Sequence, residues 1–118
     1  MEKTAIIAAL SALAQDTRLD IYRLLVQAGA DGLPAGQIGE RLDLPSPTLS
    51  FHLAQLKHAG LVTHRRDGRS IIYAANYPTM NGLVGYLTEN CCGGNAAECG
   101  DTACATAAQS PRSKRRSA

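Results

Sequence analysis

The chain has 118 residues, and what it has little of excludes several classes of function. It contains no long apolar run of the kind a membrane-spanning helix needs, so no contact with a membrane is expected. The apolar stretch in MEKTAIIAALSALAQDTR is interrupted by Ser11 and leads straight into a patterned helix, without a small-residue cleavage site. It does not read as a secretion signal, and a cytoplasmic location is expected. Cysteine is missing from the first 90 positions, so none lies in the expected core. Charge of one sign is lacking too. Of 12 basic residues, four (Arg112, Lys114, Arg115, Arg116) lie in the last seven positions, which leaves eight basic against ten acidic residues before them. A uniformly basic body is thereby excluded, and any nucleic-acid surface must be a local patch. No internal repeat occurs.

What is present is helical periodicity. Ile6, Leu10 and Leu13 follow i, i+4, i+7 spacing across Lys3 to Ala14, which predicts an amphipathic helix. Asp16 or Thr17 can cap a second helix carrying Ile21, Leu24, Leu25 and Ala28, with Gly29 as its stop. A shorter helix is predicted from Ala35 to Leu42, ended by Asp43-Leu44-Pro45. Ser46 as N-cap and Pro47 as first helical residue then open SPTLSFHLAQLKHAG, with Leu49, Leu53 and Leu56 as the inward stripe and Gly60 as the close. The period changes in LVTHRRDGRSIIYAA, where Asp67-Gly68 between apolar residues predicts a tight hairpin. A last helix opens near Tyr77-Pro78 and carries Met80, Leu83, Val84 and Leu87.

Helices, a helix–turn–helix pair and a two-stranded hairpin, in that order, predict a mainly α winged helix-turn-helix domain. It would have about five helices and a β-hairpin wing. The helix Ser46 to Ala59 would lie in the major groove of operator DNA. With its leucines inward, Thr48, Phe51 and Gln55 turn outward, and Ser50 and His52 flank them. Ser46 and Pro47 join them at the helix start. Gln can pair with adenine, Ser and Thr are versatile, and Phe can meet a thymine methyl. Phe51 is the chain's only Phe, and exposed it would otherwise be a liability. Arg65, Arg66 and Arg69 surround the hairpin turn. A charge run is usually a solvated face, but at a wing tip arginines meet phosphates or enter the minor groove.

The stretches LAQDTRLDIYRLLVQAG and LPAGQIGERLDLPSPTLSFHLAQLKHAGLVTHRRDGRSIIYAAN resemble the ArsR/SmtB family of metal-responsive repressors. The resemblance covers roughly residues 5 to 90, including the family's Ser-x-His-Leu steps at Ser50, His52 and Leu53. It implies a homodimer with the first and last helices at the two-fold interface, and release from DNA on binding a metal or metalloid. The residues agree on the dimer. A body of this size buries a limited core, and the stripes Ile6/Leu10/Leu13 and Met80/Leu83/Val84/Leu87 need a partner. Phe51 stands where the family commonly has a polar residue or His.

Family members sense ions at different places. One arsenic-sensing type carries Cys-x-Cys-x-x-Cys at the start of its third helix, but LPAGQIGERL has no cysteine. A zinc-sensing type uses His and carboxylates on the last helix, whereas the histidines here are His52, His58 and His64. What remains is Cys91-Cys92 with Cys99 and Cys104 downstream, within 14 residues of one another. This resembles the arsenite-responsive subgroup with a vicinal pair here plus one later cysteine. Thiolates select thiophilic centres, and trivalent arsenic or antimony takes three sulfurs in a pyramid. Cys91, Cys92 and Cys99 are the first choice of ligands, with Cys104 as substitute. Clamping a pair at the end of the dimer helix to a tail cysteine would strain that helix and lower operator affinity.

Other readings stay open. Four cysteines could hold tetrahedral zinc or cadmium, although paired C-x-x-C knuckles are lacking. They could form a disulfide redox switch, or be unligated spectators. A thiol enzyme such as an arsenate reductase lacks a cysteine in a Gly-rich anion loop or beside a His base, so no catalytic residue or catalytic cofactor is expected. A metal-sequestering protein would leave the arginine wing without purpose. The chain is accordingly expected to divide into a DNA-binding and dimerisation domain, 1–92, and a flexible, cysteine-bearing basic tail, 93–118. The end SPRSKRRSA is either solvated or adds nonspecific phosphate contacts.

Overall fold

In the computed structural model, which describes residues 1–94, the helices follow as α1 (Lys3–Leu13), α2 (Asp16–Ala28), α3 (Ala35–Leu42), α4 (Ser46–His58) and α5 (Tyr77–Leu87). Three strands, β1 (Leu33–Pro34), β2 (Val62–Asp67) and β3 (Ser70–Ala75), form an antiparallel sheet in the order β1-β3-β2. Two compact units are distinguished, Met1–Leu83 and the part from Val84 onward.

In the first unit, Ile21, Leu25, Ile38, Leu53, Leu56 and Leu61 are fully buried and form the centre of the core. They come from α2, α3, α4 and the link to β2, so the helix–turn–helix pair is built around the core itself. The expected inward residues of α4, Leu49, Leu53 and Leu56, are all buried. Truncating any of them to alanine would cost about 2–5 kcal/mol.

Helix α1 departs from its expected stripe. Its buried face is Ile6, Ala9 and Ala12, with Leu13 half-buried against the core, while Ile7 and Leu10 are exposed. Two alanines let the helix approach its neighbours closely, so small side chains rather than Leu10 define the inner face.

Helix ends explain the remaining local differences. The N-cap of α2 is Gln15, not Asp16 or Thr17. Its Oε1 accepts from the Arg18 N–H at 2.9 Å, which satisfies one otherwise orphaned donor, and its carbonyl accepts the first intrahelical bond, from the Leu19 N–H at 2.9 Å. The N-cap of α4 is Pro45, not Ser46, and makes no side-chain capping bond. Its carbonyl accepts from the Leu49 N–H at 2.9 Å, and Ser46 and Pro47 are already helical. A proline in the first turn loses nothing, because its missing N–H would have no intrahelical partner.

Between α3 and α4, Asp43 adopts a left-handed conformation (φ 55°) and the Leu44 N–H donates to the Gly39 carbonyl at 2.9 Å. A Cβ on Gly39 would stand 3.2 Å from the Leu44 carbonyl, so glycine lets the turn close tightly.

Helix α4 ends in a Schellman motif. Gly60 (φ 80°) donates to the Lys57 carbonyl at 2.9 Å, and Leu61 donates to the Leu56 carbonyl at 3.0 Å. Leu56 and Leu61, the pair this motif brings together, are both fully buried. Asn76 locks the junction. Its side-chain amide donates to the Gly60 carbonyl at 3.0 Å and its N–H donates to the Leu61 carbonyl at 2.9 Å. Its Oδ1 also accepts from the Thr79 N–H at 3.4 Å, capping α5. One asparagine thereby ties the end of α4 to the return of the wing.

The hairpin forms with a different turn from the expected one, and the sheet gains a strand. Asp67 pairs with Ser70, so the loop is Gly68-Arg69 rather than Asp67-Gly68. Gly68 has φ 64° and Arg69 is not left-handed, the pattern of a two-residue loop with glycine first. The third strand, β1, pairs Leu33 with Tyr73 and Pro34 with Ile72.

In the second unit, α5 ends at Leu87, and the Thr88 hydroxyl donates back to the Val84 carbonyl at 2.8 Å. Asn90 turns left-handed (φ 58°), a conformation asparagine tolerates at a helix end. Cys91–Gly94 form a tight turn in which Cys92 has φ 57° and ψ 35°. The cysteine pair was expected to end the last helix; it lies beyond that end, because the helical ladder stops with the Thr88 N–H on the Val84 carbonyl, and the Glu89 and Cys91 N–H groups turn back to the Tyr86 and Thr88 carbonyls instead. Cys99, Cys104 and the basic end SPRSKRRSA lie outside the described residues.

Candidate nucleic-acid interface and cysteine pair

The outward face of α4 follows from its buried one. With three leucines fixed in the core, Ser46, Pro47, Thr48, Ser50, Phe51 and Gln55 are exposed. Phe51 is 58% exposed, the most exposed large apolar side chain of the first unit. It is not part of the core cluster, and its ring meets the edge of His52, with centroids 5.4 Å apart and planes at 66°.

His52 differs from its neighbours. It is half-buried, and its Nδ1 lies 3.3 Å from the Arg18 Nη1. Arg18 also donates from Nε to the Ala12 carbonyl at 2.7 Å. This arginine thus joins the first turn of α2 to the end of α1 and to α4. Burial first, and then the positive charge of Arg18, hold the His52 pKa below its ordinary value. Arg18 and His52 stand 34 positions apart, so no helical or strand periodicity could have paired them.

The wing arginines fall into two kinds. Arg65, Arg66 and Arg69 are all exposed, but the Arg65 guanidinium donates to the Asp31 carbonyl at 3.1 Å. It pins the wing to the loop before β1. Arg66 is the penultimate residue of β2, and Arg69 is the second residue of the loop. His64 and Tyr73, cross-strand partners, stack at 5.8 Å and stiffen the base of the wing.

Cys91 and Cys92, consecutive in the chain, are both half-buried in their turn. Among the described residues no group of three or more His, Cys, Asp or Glu side chains is gathered as a metal would require. Of the four cysteines expected as ligands, Cys91 and Cys92 are consecutive residues of this turn, and Cys99 and Cys104 lie outside the described residues. No helix among the described residues is long and apolar enough to cross a membrane.

Known proteins share this architecture. A family model described as a helix-turn-helix domain matches residues 13–65. The transcriptional activator HlyU of Vibrio cholerae is 30% identical over 86 residues, covering 73% of this chain and 77% of that protein. A putative arsenical resistance operon repressor, ArsR, of Halobacterium salinarum is 45% identical over 60 residues. That match covers 51% of this chain and 46% of the relative, so the chain spans about half of that relative's length. Among solved structures, a homodimeric winged helix-turn-helix DNA-binding domain from Mycobacterium bovis, a possible ArsR-family regulator, aligns with a TM-score of 0.59. It is 27% identical and covers 74% of this chain and 81% of its own. These relatives are transcriptional regulators rather than enzymes. By fold, by helix-turn-helix and by relatives, the chain belongs to the ArsR family of DNA-binding transcriptional regulators.

Proposed function

We propose that this regulator is a repressor that grips operator DNA as a homodimer and lets go when trivalent arsenic or antimony is captured by its C-terminal thiolates. The observation that carries the DNA half is the exposed row Thr48, Phe51 and Gln55 on a helix whose other face is locked in the core. Ser46, Pro47, Ser50 and His52 complete the contact surface on α4, and Arg66 and Arg69 supply phosphate contacts from the wing. Arg65 acts mainly by holding the wing in place.

The dimer reading is supported by apolar residues that the protomer leaves uncovered. Ile7 and Leu10 are exposed on α1, and Val84 and Leu87 on the end of α5. A second copy meeting these helices would remove them from water. Ile6, Leu13 and Leu83 are used within the protomer and serve the interface only as support.

The metalloid reading is supported by the vicinal Cys91-Cys92 pair and by the arsenical-resistance relative. A trivalent arsenic or antimony centre bound there would be held by Cys91, Cys92 and either Cys99 or Cys104. Cys99 and Cys104 belong to the cysteine-bearing segment 93–118, and the site would work inside the cytoplasm. A gel shift on the chain's own promoter, with and without arsenite, tests the reading. A shift abolished by arsenite supports it. Release by zinc, cadmium or oxidant instead would move the chain to a zinc/cadmium- or redox-responsive repressor of the same fold. Thiol-metal binding with no shift at all would make it a metal-sequestering protein.

A further inference from the structure

We infer that Arg18 is a positioning residue for DNA recognition: it holds His52 Nδ1 as an acceptor, so the imidazole offers its one proton from Nε2 to an acceptor atom of the operator. The inference rests on the proposed DNA-binding reading of α4 and adds a residue and a direction to it.

The argument starts from the donor inventory. A guanidinium has five N–H donors and no acceptor, and it stays charged in proteins. With Arg18 Nη1 3.3 Å from His52 Nδ1, that ring nitrogen can only accept. A neutral imidazole has one N–H, so the proton resides on Nε2, the nitrogen farther from the backbone. A doubly protonated ring would place two positive groups in contact, and the lowered pKa of His52 agrees with a neutral ring.

Arg18 is itself well anchored. Its backbone N–H donates to Gln15 Oε1 at 2.9 Å and its Nε donates to the Ala12 carbonyl at 2.7 Å. Two of its nitrogens thus fix the residue, and a third is left to orient the histidine. On the other side Phe51 meets the imidazole edge-on, which limits ring rotation. Among the described residues no hydrogen bond engages His52 Nε2, so its N–H is available to a ligand. In the major groove a fixed donor selects acceptors: guanine O6 or N7, adenine N7 or thymine O4, and it rejects the cytosine amino group. A phosphate oxygen is the sequence-independent equivalent.

Three measurements on the full chain test this. First, long-range ¹⁵N–¹H correlation spectra, recorded above the histidine titration range without DNA, read the tautomer. His52 is expected to show a bare Nδ1 and a protonated Nε2. A proton on Nδ1 overturns the inference. Second, Arg18→Gln replaces a pure donor by a side chain that can also accept, and the two ring nitrogen shifts should move toward each other. Unchanged shifts overturn it. Third, His52→Asn keeps an acceptor near Nδ1 for Arg18 but deletes the Nε2–H, so operator affinity should fall about three- to tenfold. Equal affinity overturns it even if Arg18→Gln fails to fold. A wild-type chain that does not bind its promoter at all removes the repressor reading instead, and the tautomer spectrum distinguishes the two failures.

Discussion

Gly32 passes so close to the Tyr73 carbonyl that no side chain fits between them. A Cβ on Gly32 would collide with the Tyr73 oxygen and stand 3.1 Å from the Ala74 Cβ, and the glycine also has φ +73°. This close approach lets Leu33 and Pro34 pair with β3 and closes the sheet against α3. Gly32→Ala is therefore expected to cost about 2–4 kcal/mol, from steric overlap and a left-handed alanine together. Denaturant unfolding checks it, and wild-type stability in the variant would refute the paired β1.

How much of this was legible in the chain depends on the range of the interaction. The helices, the Gly60 stop and the hairpin were readable because each is written in residues within one or two turns of each other. The buried face of α1 was misread because periodicity gave weight to Leu10 and none to Ala9 or Ala12, whose small size is what brings the helix close. Strand β1 carries two residues, too few for any alternation to register. The outward face of α4 followed from its leucines, but the anchoring of Arg65 to Asp31 and of Arg18 to His52 spans 34 positions in each case. Such pairs exist only once the core has brought the elements together. The position of the cysteine pair beyond α5 turned on the helix stopping at Leu87, a stop that no glycine or proline among Thr88, Glu89 and Asn90 marks in the chain.

The division among the wing arginines has a measurable consequence. Arg66→Ala and Arg69→Ala should each weaken binding to specific and nonspecific duplexes alike and lower the slope of log affinity against log salt by about 1. Arg65→Ala should change that slope less, because its guanidinium is engaged with the Asp31 carbonyl. Affinities at two or more salt concentrations separate the two behaviours. Identical slopes for all three variants would contradict it.

The depressed pKa of His52 links stability to pH. In the unfolded chain this histidine binds a proton below its ordinary pKa of about 6.5, while the folded chain stays neutral until lower pH. The unfolded state therefore binds more protons in that window. Stability from this group is fully present above the ordinary value and is lost as pH falls through the lowered folded one. Unfolding curves of wild type and His52→Asn across this range should converge toward low pH. Parallel curves would show that His52 titrates normally.

A buried tyrosine and a half-buried one make opposite forecasts. The Tyr22 hydroxyl is buried without a hydrogen-bond partner among the described residues, and burial, followed by Tyr77, raises its pKa. The Tyr77 hydroxyl donates to the Val26 carbonyl at 2.8 Å. Tyr22→Phe should leave stability unchanged or raise it by up to about 1 kcal/mol, whereas Tyr77→Phe should lower it by about 1 kcal/mol. Thermal melts decide, and a destabilised Tyr22→Phe would mean its hydroxyl has a partner.

The central claim is that thiolate capture of a metalloid is coupled to DNA release, and one titration tests it most directly. The Kd of the full-length protein for its promoter duplex is measured by fluorescence anisotropy without arsenite and at saturating arsenite, for wild type and for Cys91→Ser and Cys92→Ser. The account predicts wild-type affinity weakened about five- to 150-fold by arsenite, the usual scale of such coupling, and both variants binding DNA with no response. A wild-type Kd that does not change while arsenite is bound, or a Cys92→Ser protein that still responds, would contradict it.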